Sequence, residues 1–171
     1  MSHAKPASSG EAAGHDSALR EQLIEMLEGG HAHATFDQAV KGFPIERAGT
    51  RPHGARHSAW ELLEHMRLAQ NDILRFSKSA EYVSPKWPEG YWPAKPEPAT
   101  HNDWKESVRA FRDDLAEFQA LLRDARNDLH RKFPWGDGQT LLREALVLAD
   151  HNGYHLGQLV LVRRLLGEWK E

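Results

Sequence analysis

The chain has 171 residues, a formal charge of −3 with histidine neutral, and no cysteine. A chain of this length can bury about 70% of its unfolded surface in one core, so we expect a single domain. The charge gives no electrostatic argument for nucleic acid, and the lack of cysteine excludes disulfides, thiolate catalysis and cysteine-rich zinc sites. No apolar run is long enough to span a membrane, and the first residues lack the apolar region of a secretory signal. We therefore expect a cytoplasmic protein that binds neither nucleic acid nor membranes.

The start of the chain predicts a leader followed by a helix. Residues 1–16 are small and polar, and they are predicted to be disordered, with one domain over residues 17–171. The spacing of leucines predicts that the first helix begins at about Ser17. Gly29 and Gly30 interrupt the pattern, so this helix is expected to kink or pause there before it ends near Gly42.

Three further helices follow from the same kind of pattern. Ser58 and Glu61 form a predicted capping box, in which each side chain accepts a hydrogen bond from the other residue's backbone amide. Steps of three and four between apolar residues then mark buried helix faces. No alternating pattern typical of a strand competes with them. The predicted helices cover residues 58–77, 102–132 and 139–166.

A long segment rich in proline and aromatic residues separates the second and third helices. Residues 78–101 carry five of the nine prolines together with Trp87, Tyr91 and Trp92. So many prolines exclude a helix, and a loop of this length in a compact domain is typical of a crossover that runs along a bundle. Its aromatic side chains either pack on the bundle or line a substrate pocket. The predicted fold class is all-α, a four-helix bundle with this crossover.

The run DHNGYHLGQL in the fourth helix carries the first candidate for chemistry. His151 and His155 are four residues apart, so their rings share one helix face, roughly 5–6 Å apart at Cβ, and could share a metal ion. Gly153 and Gly157 lie in the same helix, where each costs about 1 kcal/mol relative to alanine. Two explanations for these glycines stay open: close packing within the bundle, or contact with a helix of a second copy in a dimer.

His65 supplies a third candidate ligand from a different helix. It lies near the apolar stripe of the second helix, one turn from Leu62. Two ligands from one helix and one from its neighbour can form a three-histidine site inside a bundle. Such a site leaves a divalent ion with open positions, so it can lower the pKa of a bound water or hold a thiol as thiolate. The alternative is a set of core-facing histidines held only by hydrogen bonds.

Two motifs of the chain resemble those of a known family. SAWELLEHM at residues 58–66 and HNGYHLGQL at residues 151–159 resemble the motifs of the DinB/YfiT superfamily, which is distinct from the DNA polymerase that shares the first name. The resemblance covers residues 17–167. It implies a four-helix bundle, a three-histidine site for a divalent ion (Ni²⁺ or Zn²⁺ foremost) and a homodimer. The matching residues are His65, His151, His155, Gly157 and Gln158.

Two classes of function stay open. The resemblance implies a metal-dependent enzyme that activates a thiol or water, because relatives include bacillithiol- or mycothiol-dependent S-transferases and maleylpyruvate isomerase-like enzymes. Such an enzyme would act on a small-molecule substrate, with a low-molecular-weight thiol as a second cofactor. The alternative is a non-catalytic homodimeric bundle that binds metal or a small molecule in a stress response.

The remaining site candidates rest on position alone. Glu61 lies one turn before His65 and is a candidate base, although the capping box already explains it. Gln158 and His31 are candidates for binding a cofactor. The histidines at termini and in loops, among them His57, are assigned no role.

Overall fold

The computed structural model describes residues 9–169, with side chains described for residues 14–169. This part of the chain is all-helical, as predicted, and contains no β-strand, only an isolated bridge between Lys132 and Thr140. The four long helices α1, α3, α4 and α5 form the bundle, and α2 is a short additional helix. The helices are α1 (Ser9–Glu28), α2 (Phe36–Val40), α3 (Ala59–Lys78), α4 (His101–Arg123) and α5 (Leu141–Leu165), with 3₁₀ turns at Ile45–Arg47 and Glu89–Tyr91.

Helix α1 begins earlier than the sequence pattern predicts. It already includes residues 9–16 of the predicted disordered leader, so that boundary is corrected, while residues 1–8 lie outside the described residues. One contact supports the earlier turn, because the Arg20 guanidinium donates to the Asp16 carboxylate one turn before it, at 2.7 Å. An ion pair at this spacing stabilises a helix across its first turns.

The glycine pair ends α1, which corrects the predicted continuation of this helix to about Gly42. Gly29 and Gly30 have φ angles of 73° and 89°, in the left-handed region that glycine adopts without strain. The chain does not resume the same helix after this break. It forms the separate short helix α2, which starts at a capping box between Thr35 and Gln38.

Helix α3 starts at the predicted capping box. The Ser58 hydroxyl accepts from the Glu61 amide at 3.2 Å, and the Glu61 carboxylate accepts from the Ser58 amide at 2.8 Å. Two otherwise unpaired amides at the start of the helix are thereby satisfied, which holds the first turn of α3 in place.

Helices α3 and α4 run parallel. Asn71 in α3 donates to Asp114 in α4, and Lys78 at the end of α3 contacts Glu117 further along α4. The segment between two parallel helices has to return along them, and this one follows α3 backwards. Its Pro96 carbonyl accepts from the Ser58 hydroxyl at the start of α3.

Helix α4 ends at Arg123, well before the predicted end near residue 132. The side chain of Arg20, which is buried, accounts for the early end. Its guanidinium donates to the backbone carbonyls of Leu122 at 2.7 Å and Asn127 at 2.7 Å. It thus gives a hydrogen-bond partner to carbonyls at and just beyond the end of the helix, where no partner within the helix follows. No glycine or proline stands between residues 124 and 133, and the turn instead uses two aspartates: Asp124 Oδ1 accepts from the Arg126 amide and Asp128 Oδ1 accepts from the His130 amide.

Helix α5 packs its predicted inner stripe into the core. It runs antiparallel to α3, since His65 meets His155 while Gln70, further along α3, meets Asn152. None of the helices in the described part of the chain has the length and apolar character needed to cross a membrane. The buried stripe consists of Leu141, Ala145, Leu148, Leu159, Val162 and Leu166.

Candidate metal centre

Three histidines from two helices meet where α3 and α5 pack. The Nε2 atom of His65 lies 3.1 Å from Nε2 of His151 and 3.1 Å from Nε2 of His155. All three ligand nitrogens lie within 4.8 Å of one another, so the group could hold a metal ion. The antiparallel packing of α3 on α5 is what brings the predicted pair on one helix to the predicted single histidine on the other.

The far side of the His65 ring shows which of its nitrogens carries the proton. Its Nδ1 lies 2.8 Å from the backbone carbonyl of Tyr91. A carbonyl oxygen only accepts hydrogen bonds, so Nδ1 of His65 donates, and in the neutral ring Nε2 is a bare lone pair. The two other Nε2 atoms approach this lone pair at 3.1 Å, which requires a proton or a cation among the three nitrogens.

The spacing of the nitrogens fits a divalent ion. Nitrogen ligands at about 2.0–2.1 Å from a tetrahedral zinc ion are separated from one another by roughly 3.3 Å. The observed separations of 3.1 Å from His65 to His151 and to His155 are close to that value. The donor set, three imidazoles with no carboxylate or thiolate, suits zinc, nickel, copper and iron alike.

Burial keeps the three histidines in the form that binds metal. It lowers the pKa of His65, and it lowers the pKa of His151 together with the nearby His65. For His155, burial and then the neighbouring His151 and His65 lower the pKa to about 4. All three rings are therefore neutral at pH 7, and a neutral imidazole is the metal ligand.

An aromatic stack covers one side of the site. The Trp92 ring lies flat on the His65 ring, with centroids 3.9 Å apart and planes 2° apart. The His57 ring stacks on the other face of Trp92 at 4.2 Å. Trp92 also meets the edge of His155 at 6.3 Å. The crossover segment thus contributes a wall of the site through Trp92. The other tryptophan of this segment, Trp87, is 69% exposed.

Sequence reasoning missed His57 and left the role of Trp92 open. His57 stands one residue before the capping box, in a loop whose sequence has no periodicity, so no spacing rule points to the site. Tyr91 contributes a backbone carbonyl, which any residue could supply. The only available signal was the density of aromatic residues in the crossover.

The candidate base Glu61 is held by other partners. Arg51 donates through Nε to one carboxylate oxygen at 2.8 Å and through Nη2 to the other, and the Ser58 amide also donates. Burial raises the Glu61 pKa, but these hydrogen bonds outweigh burial and lower the pKa overall. The structure therefore places this carboxylate in a capping box and an ion pair, one turn away from His65.

The two candidates for cofactor binding lie in different environments. Gln158 accepts from Nδ1 of His155 through Oε1 at 3.2 Å, so it orients a site residue. His31 is exposed in the bend after α1. A role of either residue in binding a cofactor stays a prediction.

The two glycines of α5 also differ. A Cβ atom at Gly153 would stand 3.4 Å from the His33 ring, a tight contact, whereas a Cβ atom at Gly157 would meet nothing within 4 Å. The contact at Gly153 is therefore with the end of an exposed side chain, and nothing in the described part of the chain fills the space at Gly157.

Comparison with known proteins gives one result. The family model of the DinB superfamily matches residues 28–159, a stretch that contains all three clustered histidines. No curated protein and no solved structure matches the chain.

Proposed function

The chain belongs to the DinB superfamily, and from that premise we propose that His65, His151 and His155 bind one divalent metal ion, Ni²⁺ or Zn²⁺. One observation carries the proposal. The Nε2 lone pair of His65, defined by the Nδ1 contact to Tyr91, lies 3.1 Å from the two other Nε2 atoms. Three neutral imidazoles leave such an ion its full double charge and open positions.

We further propose that the site belongs to a cytoplasmic enzyme that activates a thiol or water, as a thiol-dependent S-transferase or a hydrolase. When bound, the ion would supply the positive charge that keeps a thiol or a water deprotonated near neutral pH. The chain's own residues position the ligands. Tyr91 and Gln158 hold two rings through Nδ1, and Trp92 keeps water from one face of His65. The substrate would be a small molecule, with a low-molecular-weight thiol as second cofactor.

One observation favours the alternative, in which the bundle binds metal or a small molecule in a stress response and catalyses no reaction. Both oxygens of Glu61, the carboxylate predicted as a base, are engaged by Arg51. A reaction at the site would then have to proceed without this side chain as general base, or Arg51 would have to release it.

Metal analysis tests the site. Protein purified without a histidine tag is loaded with Zn²⁺ or Ni²⁺, freed of excess ion and analysed by mass spectrometry of the metal. We expect about one ion per chain, lost in His65→Ala, His151→Ala and His155→Ala. The exposed His53 provides the matched control, and His53→Ala should keep the ion. Wild-type protein without stoichiometric metal would refute the proposal.

Turnover separates the two classes of function. The loaded protein is assayed with a panel of thiols and electrophiles and with ester, amide and phosphoester substrates. An enzyme should show turnover that His151→Ala abolishes and His53→Ala preserves. Stoichiometric metal with no turnover across the panel would favour the non-catalytic alternative.

We also propose a homodimer that forms through the exposed face of α5. Tyr154 and Leu161 on this face are 65% and 53% exposed, and the space at Gly157 is open. Asp150 and Arg164 each stand seven positions from Gly157 on the same face. If two copies cross antiparallel at Gly157, Asp150 of one copy approaches Arg164 of the other, so the face is complementary to itself.

A further inference from the structure

The third ligand differs from the other two at its Nδ1 atom. His65 and His155 each have an oxygen acceptor there, whereas Nδ1 of His151 is buried and has no hydrogen-bond partner. The adjacent residue, Asn152, also has a buried atom without a hydrogen-bond partner, namely its Oδ1, which can only accept. Buried polar groups in native proteins are almost always paired, so two unpaired groups on consecutive residues call for an explanation.

A chain of hydrogen bonds determines which way the Asn152 amide points. It starts at the backbone carbonyl of Phe111 in α4, which can only accept, so the Gln70 side chain must turn its nitrogen to it, at 2.6 Å. The oxygen of Gln70 then accepts from Nδ2 of Asn152 at 3.0 Å. Gln70 is fully buried, so water does not compete for these bonds. The amide nitrogen of Asn152 therefore faces Gln70, and its oxygen is left free.

We propose that Asn152 is a positioning residue for the metal site: its Oδ1 accepts from Nδ1–H of His151, so that Nε2 of His151 is the ligand atom. This inference rests on the proposed metal site and adds a relay from the Phe111 carbonyl through Gln70 and Asn152 to the third ligand. A histidine that binds metal through Nε2 carries its proton on Nδ1, and that N–H needs an acceptor. Of the buried oxygens without a partner, the one on Asn152 belongs to the neighbouring residue.

The relay thus links the tautomer of His151 to a backbone atom in another helix, through the two side-chain amides of Gln70 and Asn152.

The proposal is tested on two readouts other than activity. The first is the Zn²⁺ dissociation constant of the full chain, measured by competition with a chromophoric chelator. Residues that orient metal ligands change metal affinity by about 10–100-fold, and we expect a loss of that size in Asn152→Ala. Asn127 is a half-buried asparagine that donates to the Leu121 carbonyl away from the site, so Asn127→Ala controls for lost packing. Its affinity should equal that of the wild type.

The second readout is the tautomer of His151, read from ¹⁵N chemical shifts of the ring with and without Zn²⁺. We expect the proton on Nδ1 in the wild type and a mixture of tautomers in metal-free Asn152→Ala. Gln70→Leu removes the restraint on the Asn152 amide, so it should weaken Zn²⁺ binding, and the two substitutions should be less than additive. Gln119→Leu is the control for Gln70→Leu, because Gln119 is a buried glutamine of α4.

Each outcome decides the question. Equal Zn²⁺ affinities for Asn152→Ala and Asn127→Ala, or a wild-type His151 with its proton on Nε2, would overturn the proposal. A wild type that holds no Zn²⁺ would refute the metal site instead, and the tautomer of metal-free His151 would still show whether Asn152 orients the ring. Affinity loss and tautomer change in Asn152→Ala, with neither in the controls, would support the relay.

Discussion

The Trp92 indole lies on the His65 imidazole with ring centroids 3.9 Å apart and planes 2° apart, and His57 stacks on its other face. This contact joins the crossover segment to a candidate metal ligand of α3. It also restricts rotation of the His65 ring. The Nδ1 atom of that ring donates to the backbone carbonyl of Tyr91, the residue before Trp92. The crossover therefore both covers and orients the ligand.

Removal of the Trp92 ring should loosen the site. Stacked aromatic pairs contribute about 0.5–1.5 kcal/mol beyond the area that they bury, so Trp92→Ala should destabilise the fold and accelerate metal release. Trp92→Phe keeps a ring on His65 and should behave more like the wild type. The exposed Trp87 offers the control Trp87→Ala. Chelator-induced metal release, followed by stopped flow, checks this prediction, and equal rates for Trp92→Ala and Trp87→Ala would contradict it.

Metal should stabilise the folded chain. A ligand at 100 times its dissociation constant adds about 2.7 kcal/mol to the free energy of unfolding. For a chain of this size, that corresponds to a Tm increase of roughly 5–10 °C. Differential scanning fluorimetry with Zn²⁺ and then with excess chelator should show a reversible shift of this size. The control is the triple variant His65→Ala, His151→Ala and His155→Ala. A similar Tm shift in this variant would show that the stabilising ion binds outside the three histidines.

The Glu61–Arg51 pair should make stability depend on acid pH. Hydrogen bonds from Arg51 and Ser58 lower the Glu61 pKa despite burial, so folding favours the charged carboxylate. Its contribution is present above the unfolded pKa of about 4.3 and is lost as pH falls through the lower folded pKa. Urea unfolding of wild type and Glu61→Gln between pH 3 and pH 6 should therefore show a difference that grows as pH rises. Glu46→Gln, at an exposed position, is the matched control.

Substitution on the exposed face of α5 should dissociate the proposed dimer. A charge at Leu161, which is 53% exposed, would be buried without a partner at the interface, so Leu161→Glu should yield monomers. Gly157→Leu should weaken the dimer by separating the two helices. Ala116→Glu places the same charge on the exposed face of α4 as a control. Light scattering after size exclusion measures the masses, and a wild type that is monomeric at all concentrations would refute the interface.

Much of the fold and part of the site could be predicted because their signals lie within a few consecutive residues. The spacing of apolar residues indicated the long helices, Ser58 and Glu61 indicated the start of α3, and the glycine pair indicated an interruption of the first helix. The four-residue spacing of His151 and His155 placed both rings on one face for the same reason. These features depend on helix geometry alone, and the structure has each of them.

Other features depend on contacts between residues that are distant in the sequence. Arg20, about a hundred positions away, hydrogen-bonds the carbonyls at the early end of α4, and the wall of the site follows from how the crossover lies on α3. The orientation of Asn152 depends on Gln70 and on a carbonyl of α4. The sequence by itself therefore determined the four long helices and which histidines share a face. Only the tertiary structure decided what surrounds each ring, because hydrogen bonds and stacking across helices leave no periodic signal in the chain.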